Sequence, residues 1–352
     1  MAISKPPPPR ELKRPDGVPE DAILRLIPVP AESAGMRLDV FLRAKLKRTS
    51  RTRAQHIVRQ SAYNADGKRL FPNDRVREGQ VVALWRDPFE GDEPMPPMAV
   101  VYEDAHVLVI DKPPLVAVHP TARYHHHTVI KRLQAERPDE YVALIHRIDR
   151  ETSGLLLLAR SLESERAFKL GLERRTEAVA SADGSTDDDG LAFEKEYLAI
   201  VRGVPPEGAI TLPLELDPDN ALRVKMRVAE PGSGLHARTG VRVLETRGDY
   251  SLVACALHTG RQHQIRLHLA AVGCPLVGDK LYGADERMLA RAADGELRPE
   301  DLLLLELSRH ALHAHRYRLR HAVTGEMLEL VSPLPRDLSE FWAGCGERRA
   351  TR

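Results

Sequence analysis

The spacing of apolar and polar positions divides the 352-residue chain into two differently patterned stretches. Between Ala22 and Asp87 the apolar residues come first as "AILRLIPV", which predicts a strand. Leu38, Phe41, Leu42 and Leu46 then recur three and four residues apart, the period of a helix with one buried face. Ile57 and Val58 mark a second short helix, with Ser50 as its candidate N-cap. "NADGKRL" reads as a turn and "GQVVALW" as a closing strand. A linker rich in proline and acid follows over 88–99.

From 100 to 340 strands dominate. "VVYEDAHVLVIDKPP" predicts a strand, a turn and a second strand, stopped by Pro113 and Pro114. Leu155 to Ala159 is an uninterrupted apolar run between polar flanks, the pattern of a strand buried on both faces. "SLESERAFKLGLERR" predicts a helix, and "YLAIV", "LRVKMRVAE", "TGVRVLETRG" and "DYSLVACALH" predict further strands. Strands this frequent, with scattered helices, imply a mixed, mainly antiparallel α+β sheet and not a doubly wound one. The stretch "EAVASADGSTDDDG" reads as a mobile surface loop. Residues 1–21, stiffened by proline, and 341–352 read as tails.

Charge alters this picture locally. The whole chain carries a net +1, so its overall electrostatics announces no polyanionic partner. Between Met36 and Gln60, however, Arg37, Arg43, Lys45, Lys47, Arg48, Arg51, Arg53 and Arg59 face one acid, Asp39, a local +7. Such one-sidedness on two short helices suits a phosphate backbone. Three cysteines without metal-ligand spacing fit a reducing, cytoplasmic compartment, and no apolar run is long enough to span a membrane. His125, His126 and His127 are neighbours that point in different directions, so they make a poor metal site and a metal-dependent hydrolase is disfavoured.

Two clusters carry candidate chemistry. In "LIHRIDRETSGLLLLAR", Asp149 stands between Arg147 and Arg150 at the mouth of the buried strand. A carboxylate beside guanidinium groups stays ionised. Taken alone, an aspartate there reads first as a solvated ion pair capping a core strand. In "HTGRQHQIRLHL", Arg261, His263, Arg266 and His268 lie within eight residues. Ile265 and Leu269, at helical spacing, face the core, which leaves Arg266 anchored and available to a carboxylate or phosphate.

Together with "VVYEDAHVLVIDKPPLVAVHP", "KEYLAIVRG", "VGDKLYG" and "RHALHAHRYRL", these clusters occur in the order found in RluA-type pseudouridine synthases, and the chain resembles that family over 100 to about 333. The basic unit over 22–87 resembles the small RNA-binding domain, named after ribosomal protein S4, that often precedes such a catalytic domain. The resemblance implies that uracil is detached from its ribose within RNA, turned, and rejoined through carbon, with no cofactor and no metal. It assigns catalysis to Asp149, Tyr197 and Arg266: Asp149 acting on the sugar or base, Tyr197 packing on the base, and Arg266 pairing with the aspartate. Arg147, Arg150, Arg261 and His263 are the implied substrate-binding residues. The motif then needs only one carboxylate. The implied partner is RNA, ribosomal RNA of the large subunit first and transfer RNA second, bound by a monomer. The rival class is an RNA-binding or ribosome-assembly protein without catalysis.

Overall fold

A computed structural model describes residues 12–20, 22–46, 51–86, 95–121, 124–181, 193–220, 224–230, 232–285, 287–294 and 296–345. The chain divides into two compact units, Met1–Gly91 with Thr121–His126, and Asp92–Pro120 with His127–Arg352.

In the first unit the elements are β1 (Ile23–Pro28), α1 (Leu38–Lys45), α2 (Arg51–Ser61), β2 (Ala62–Tyr63) and β3 (Val81–Arg86). The strands form an antiparallel sheet in the order β1-β3-β2. Leu38, Phe41 and Leu42 of α1 meet Val58 of α2 and Val82 and Leu84 of β3 in one core. This is the face that the three-and-four spacing predicts. Ser50, the expected cap, lies outside the described residues. The expected N-terminal tail is shorter than 1–21: Pro15 is buried, and the amide of Lys13 donates to the Ala65 carbonyl (3.2 Å).

The second unit contains β4 (Ala99–Glu103), β5 (Val107–Lys112), α3 (Val129–Glu136), β6 (Ala143–Leu144), β7 (Ser153–Ala159), α4 (Leu162–Ser181) and β8 (Phe193–Arg202). It continues with β9 (Gly208–Ile210), β10 (Leu214–Leu216), β11 (Met226–Val228), β12 (Thr239–Arg247), β13 (Tyr250–Leu257) and α5 (Gln264–Ala271). After α6 (Met288–Asp294) and α7 (Pro299–Leu305) come β14 (Leu312–Arg320), β15 (Met327–Val331) and α8 (Arg336–Gly344). One large sheet runs β4-β5-β7-β14-β8-β13-β12-β9. Its pairings are antiparallel except β14 with β7, so the sheet is mixed and mainly antiparallel.

β7 is buried along its whole length. Its alternating side chains enter two cores: Leu155, Leu157 and Ala159 on one face, Leu156 and Leu158 on the other with Val129 and Leu133 of α3. This is why the run shows no alternation of apolar and polar residues. Along one edge of β7 the partner changes. β6 pairs with its C-terminal end and β14 with Ser153 and Gly154 at the start. Gly154 sits at φ +104°, and a Cβ there would strike the carbonyl of Ala314 on β14. Glycine alone permits that approach. The connection from β6 to β7, residues 145–152, emerges beside this change of partner.

Three expected boundaries are corrected. Residues 341–345 are no tail: Phe341, Trp342 and Cys345 are buried against Ile200 and Val277 through the apolar face of α8. The linker ends earlier than 99, because Met95 and Met98 pack on the core that holds β7. The loop expected from Glu177 begins later, since α4 continues to Ser181; the rest of it, 182–192, lies outside the described residues.

Candidate active site

Sheet register gathers the site. Gly154, Ala314, Tyr197 and Cys255 form one row across β7, β14, β8 and β13. α5 follows β13, and its buried Ile265 and Leu269 join the core that contains Tyr197. Asp149 reaches the same place from the 145–152 connection. That connection is pinned to β7 where the amide of Ile145 donates to the Leu157 carbonyl (3.1 Å) and the Leu157 amide donates to Nε2 of His146 (3.3 Å).

Arg266 is the hub. Its Nη1 donates to Oδ2 of Asp149 (2.7 Å), while Nε and Nη2 grip Asp279 at 2.7 and 2.9 Å. The Asp149 side chain is 29% exposed, Arg266 8% and Asp279 0%, so of the two carboxylates on this guanidinium only Asp149 is open to a ligand. Burial opposes ionisation of Asp149. Arg266, joined at low pH by protonated His263 and His310, outweighs it and holds the carboxyl well below the usual carboxylate range. Burial also works against Arg266, but Asp279 and Asp149 raise its pKa further, so the guanidinium stays charged. The site offers a permanently anionic oxygen pair in fixed orientation, suited to meet positive charge as a glycosidic bond breaks.

His263 lies 4.0 Å from Asp149 through Nε2, at a residue held in the left-handed region (φ 56°) just before α5. Burial lowers its pKa to about 4 against the pull of Asp149, so the ring is neutral at pH 7. Tyr197 is 4% exposed, its hydroxyl 3.1 Å from that of Tyr317. Burial raises its pKa to about 12, with the charge of Asp149 adding to the rise. Asp149, Tyr197, Arg266 and His263 therefore come together.

The other expected ligands stand further out. Arg147 is exposed and its Nη1 donates to Nε2 of His119 (3.0 Å). Burial and Arg147 together lower the pKa of that imidazole, which leaves it a neutral acceptor. Arg150 donates to the Leu115 carbonyl (3.0 Å) and lies 3.6 Å from Glu151. Arg261 is anchored on the His236 carbonyl (3.1 Å). His268 is a core residue, between Thr239 (2.9 Å) and the Leu212 carbonyl (2.9 Å).

In the first unit, Arg43, Lys45, Arg51, Arg53 and Arg59 are exposed on α1 and α2; Lys47 and Arg48 lie outside the described residues. The helices are less one-sided than their charge count implies. Arg37 (3.0 and 3.0 Å) and Arg51 (3.4 Å) both donate to the fully buried Asp39, as does Gln55 (2.8 Å).

The sequence reading missed the acids and bases around the hub. Asp279 is one. Glu151, two residues beyond Asp149, is another, so the motif does contain a second acid. Glu151 is buried on Lys280 (2.9 Å) and on the amide of His310 (3.1 Å). Polar residues between Gly278 and Gly283, in apolar surroundings, were the available signal. Their partners are far away in sequence, so local spacing could not reveal the pairings.

Comparison with known proteins places these features in context. A family model described as RNA pseudouridylate synthase matches residues 106–271. The chain is 31% identical to "Ribosomal large subunit pseudouridine synthase D" of Xanthomonas campestris, over 94% of this chain and 96% of the relative. It is 32% identical to the protein of the same name from Nitrosomonas europaea, over 88% of this chain and 85% of the relative. An RNA pseudouridine synthase of Chloroflexus aurantiacus is 35% identical, over 89% and 91%. Among solved structures, human RNA pseudouridylate synthase domain containing 4 matches with a TM-score of 0.52 at 23% identity, over 70% of this chain and 92% of that one, a likeness of fold.

Proposed function

The chain belongs to the RluA-type family of RNA pseudouridine synthases, and from that premise we propose that it converts uridine to pseudouridine in large-subunit ribosomal RNA with Asp149 as the reacting carboxylate. The conversion breaks the bond from C1′ to N1 of uracil and makes one from C1′ to C5. The C5 proton leaves and N1 gains one, so nothing is consumed. The observation that carries the reading is the 2.7 Å pairing of a partly exposed Asp149 with a buried Arg266. An anion fixed in that way can act on the nucleotide without first being deprotonated. Tyr197, in the row beside it, supplies an aromatic surface for the turned base. A base in a folded RNA reaches such a pocket only by swinging out of its stack. Arg147, exposed beside the site, holds phosphate, and Arg150, Arg261 and His263 line the approach.

The first unit, with its basic α1 and α2, is an S4-like RNA-binding domain that adds affinity through phosphate contacts. The two relatives whose names specify the large ribosomal subunit, each matched over most of its length, support the choice of RNA.

The test is a map of pseudouridine in total RNA from cells with and without this protein, rescued by wild type or by Asp149→Asn. Loss of one or a few large-subunit sites, restored by wild type alone, is the expected result. Loss of sites only in transfer RNA would move the substrate there. An unchanged map, together with no turnover on isolated RNA, would leave a binding protein.

A further inference from the structure

Three side chains of one short turn, Gly278–Gly283, each reach a different group around Asp149. Asp279 grips Arg266 at 2.7 and 2.9 Å, and the amides of Leu281 (2.9 Å) and Tyr282 (3.0 Å) hold its Oδ1 in place. Lys280, pointing elsewhere, donates to Glu151 (2.9 Å) and to the Ser308 carbonyl (2.5 Å). Tyr282 places its hydroxyl 3.0 Å from Nδ1 of His263, and its ring 5.2 Å from the Arg266 guanidinium. The targets come from three places: α5, the 145–152 connection, and the turn before α5.

Resting on the reading of Asp149 as the reacting carboxylate, we propose that this turn is the positioning element of the site. Asp279, Lys280 and Tyr282 act through Arg266, Glu151 and His263, and none of the three touches the RNA. The backbone is shaped for the task. Gly278 sits at φ +75°, where a Cβ would run into the Arg309 carbonyl, so the turn lies flat against the chain that carries His310. His310 completes the ring: its amide donates to Glu151 (3.1 Å) and its Nε2 lies 2.8 Å from the Thr152 hydroxyl. Asp149 is thus fixed from both sides, through Arg266 and through its own chain at Glu151 and Thr152.

The Tyr282 hydroxyl also selects a tautomer. It already accepts from the Met226 amide (2.9 Å), so its own proton is directed to Nδ1 of His263. The single proton of the neutral ring is then on Nε2, the atom 4.0 Å from Asp149. Such ordering by an outer hydrogen bond is how imidazole orientation is generally set.

Full-length variants test this. Tyr282→Phe removes one oxygen and keeps the ring, so folding should persist. Its RNA dissociation constant should stay within twofold of wild type while the single-turnover rate falls at least tenfold. In nitrogen-resolved NMR of RNA-free protein, its His263 should lose the pure Nε2-protonated signature that wild type shows. For the Lys280–Glu151 pair, Lys280→Met should lower the single-turnover rate at unchanged RNA affinity. Adding Glu151→Gln should restore at least part of it, because the second change neutralises the carboxylate left unpaired. Folded Tyr282→Phe with a wild-type rate and an unchanged His263 signature would overturn the proposal. So would a Lys280→Met defect confined to thermal stability or RNA affinity. The tautomer measurement needs no RNA; wild type that fails to turn over RNA while Tyr282→Phe shifts the His263 signature would fault the functional reading and leave the positioning role standing.

Discussion

Asp149 keeps its charge against burial through the Arg266 guanidinium paired with it, and replacements at either end of that pair have separable effects. Asp149→Asn keeps size and shape and removes the anion. Turnover should fall by at least about 100- to 10,000-fold, the range for a group acting directly on the reacting atoms, while RNA affinity changes little and the lost ion pair with Arg266 lowers the melting temperature without preventing folding. A wild-type rate in that variant would remove Asp149 from the mechanism. Arg266→Lys keeps a positive charge but lacks the planar fork that serves Asp279 with two donors and Asp149 with a third. With Asp279 wholly buried, the poorer match should cost about 3 kcal/mol, toward the lower end of the cost of breaking a buried ion pair. The urea midpoint would report it, beside a lost rate.

Among elements, β7 is the one the site hangs from, and its first residues are the least tolerant of change. At Gly154 any side chain meets both an unfavourable φ and the Ala314 carbonyl. Gly154→Ala should cost at least about 1–3 kcal/mol from backbone strain alone and disturb the β7–β14 pairing that brings Tyr197 into the row of the site. Unchanged denaturant stability would show that the pairing yields. α1 and α2 pose a different question, since two of the arginines there are held by Asp39 and the rest face outward. Replacing exposed Arg43, Lys45, Arg53 and Arg59 by glutamine should flatten the salt dependence of RNA binding, by up to about 0.9 in log–log slope for each phosphate that is no longer neutralised. An unaltered slope would exclude these helices from the interface.

At the scale of the whole molecule, buried imidazoles tie stability to pH. Burial lowers His263, His310 and His313 from 6.5 to about 4. Between those values the unfolded chain binds protons that the folded chain refuses. Stability is therefore full above about pH 6.5 and declines as pH falls toward 4, by up to about 3 kcal/mol for each such group. The depressed carboxyls of Asp149 and Asp279 act in a separate window: their contribution is present above 3.8 and lost only below it. Denaturant midpoints taken from pH 7 to 4.5 should fall steadily; a flat profile would mean that these rings protonate without unfolding cost.

What the sequence determined by itself was whatever depends on near neighbours. The helical spacing of Leu38, Phe41 and Leu42, the two-faced burial of Leu155 to Ala159, and the anchoring of Arg266 by Ile265 and Leu269 all follow from local periodicity. The motif order was legible too, and with it the family. Only the tertiary structure decided which charges meet. Asp149 and Arg266 are 117 residues apart, Glu151 and Lys280 129 apart, and their contacts arise from sheet register and from one turn packed against the chain before β14. Asp39 shows the same limit within a single unit: a lone acid in a basic stretch looked outnumbered, yet folding buries it where Arg37, Arg51 and Gln55 converge. Charge composition counts groups, whereas burial determines which of them must find a partner.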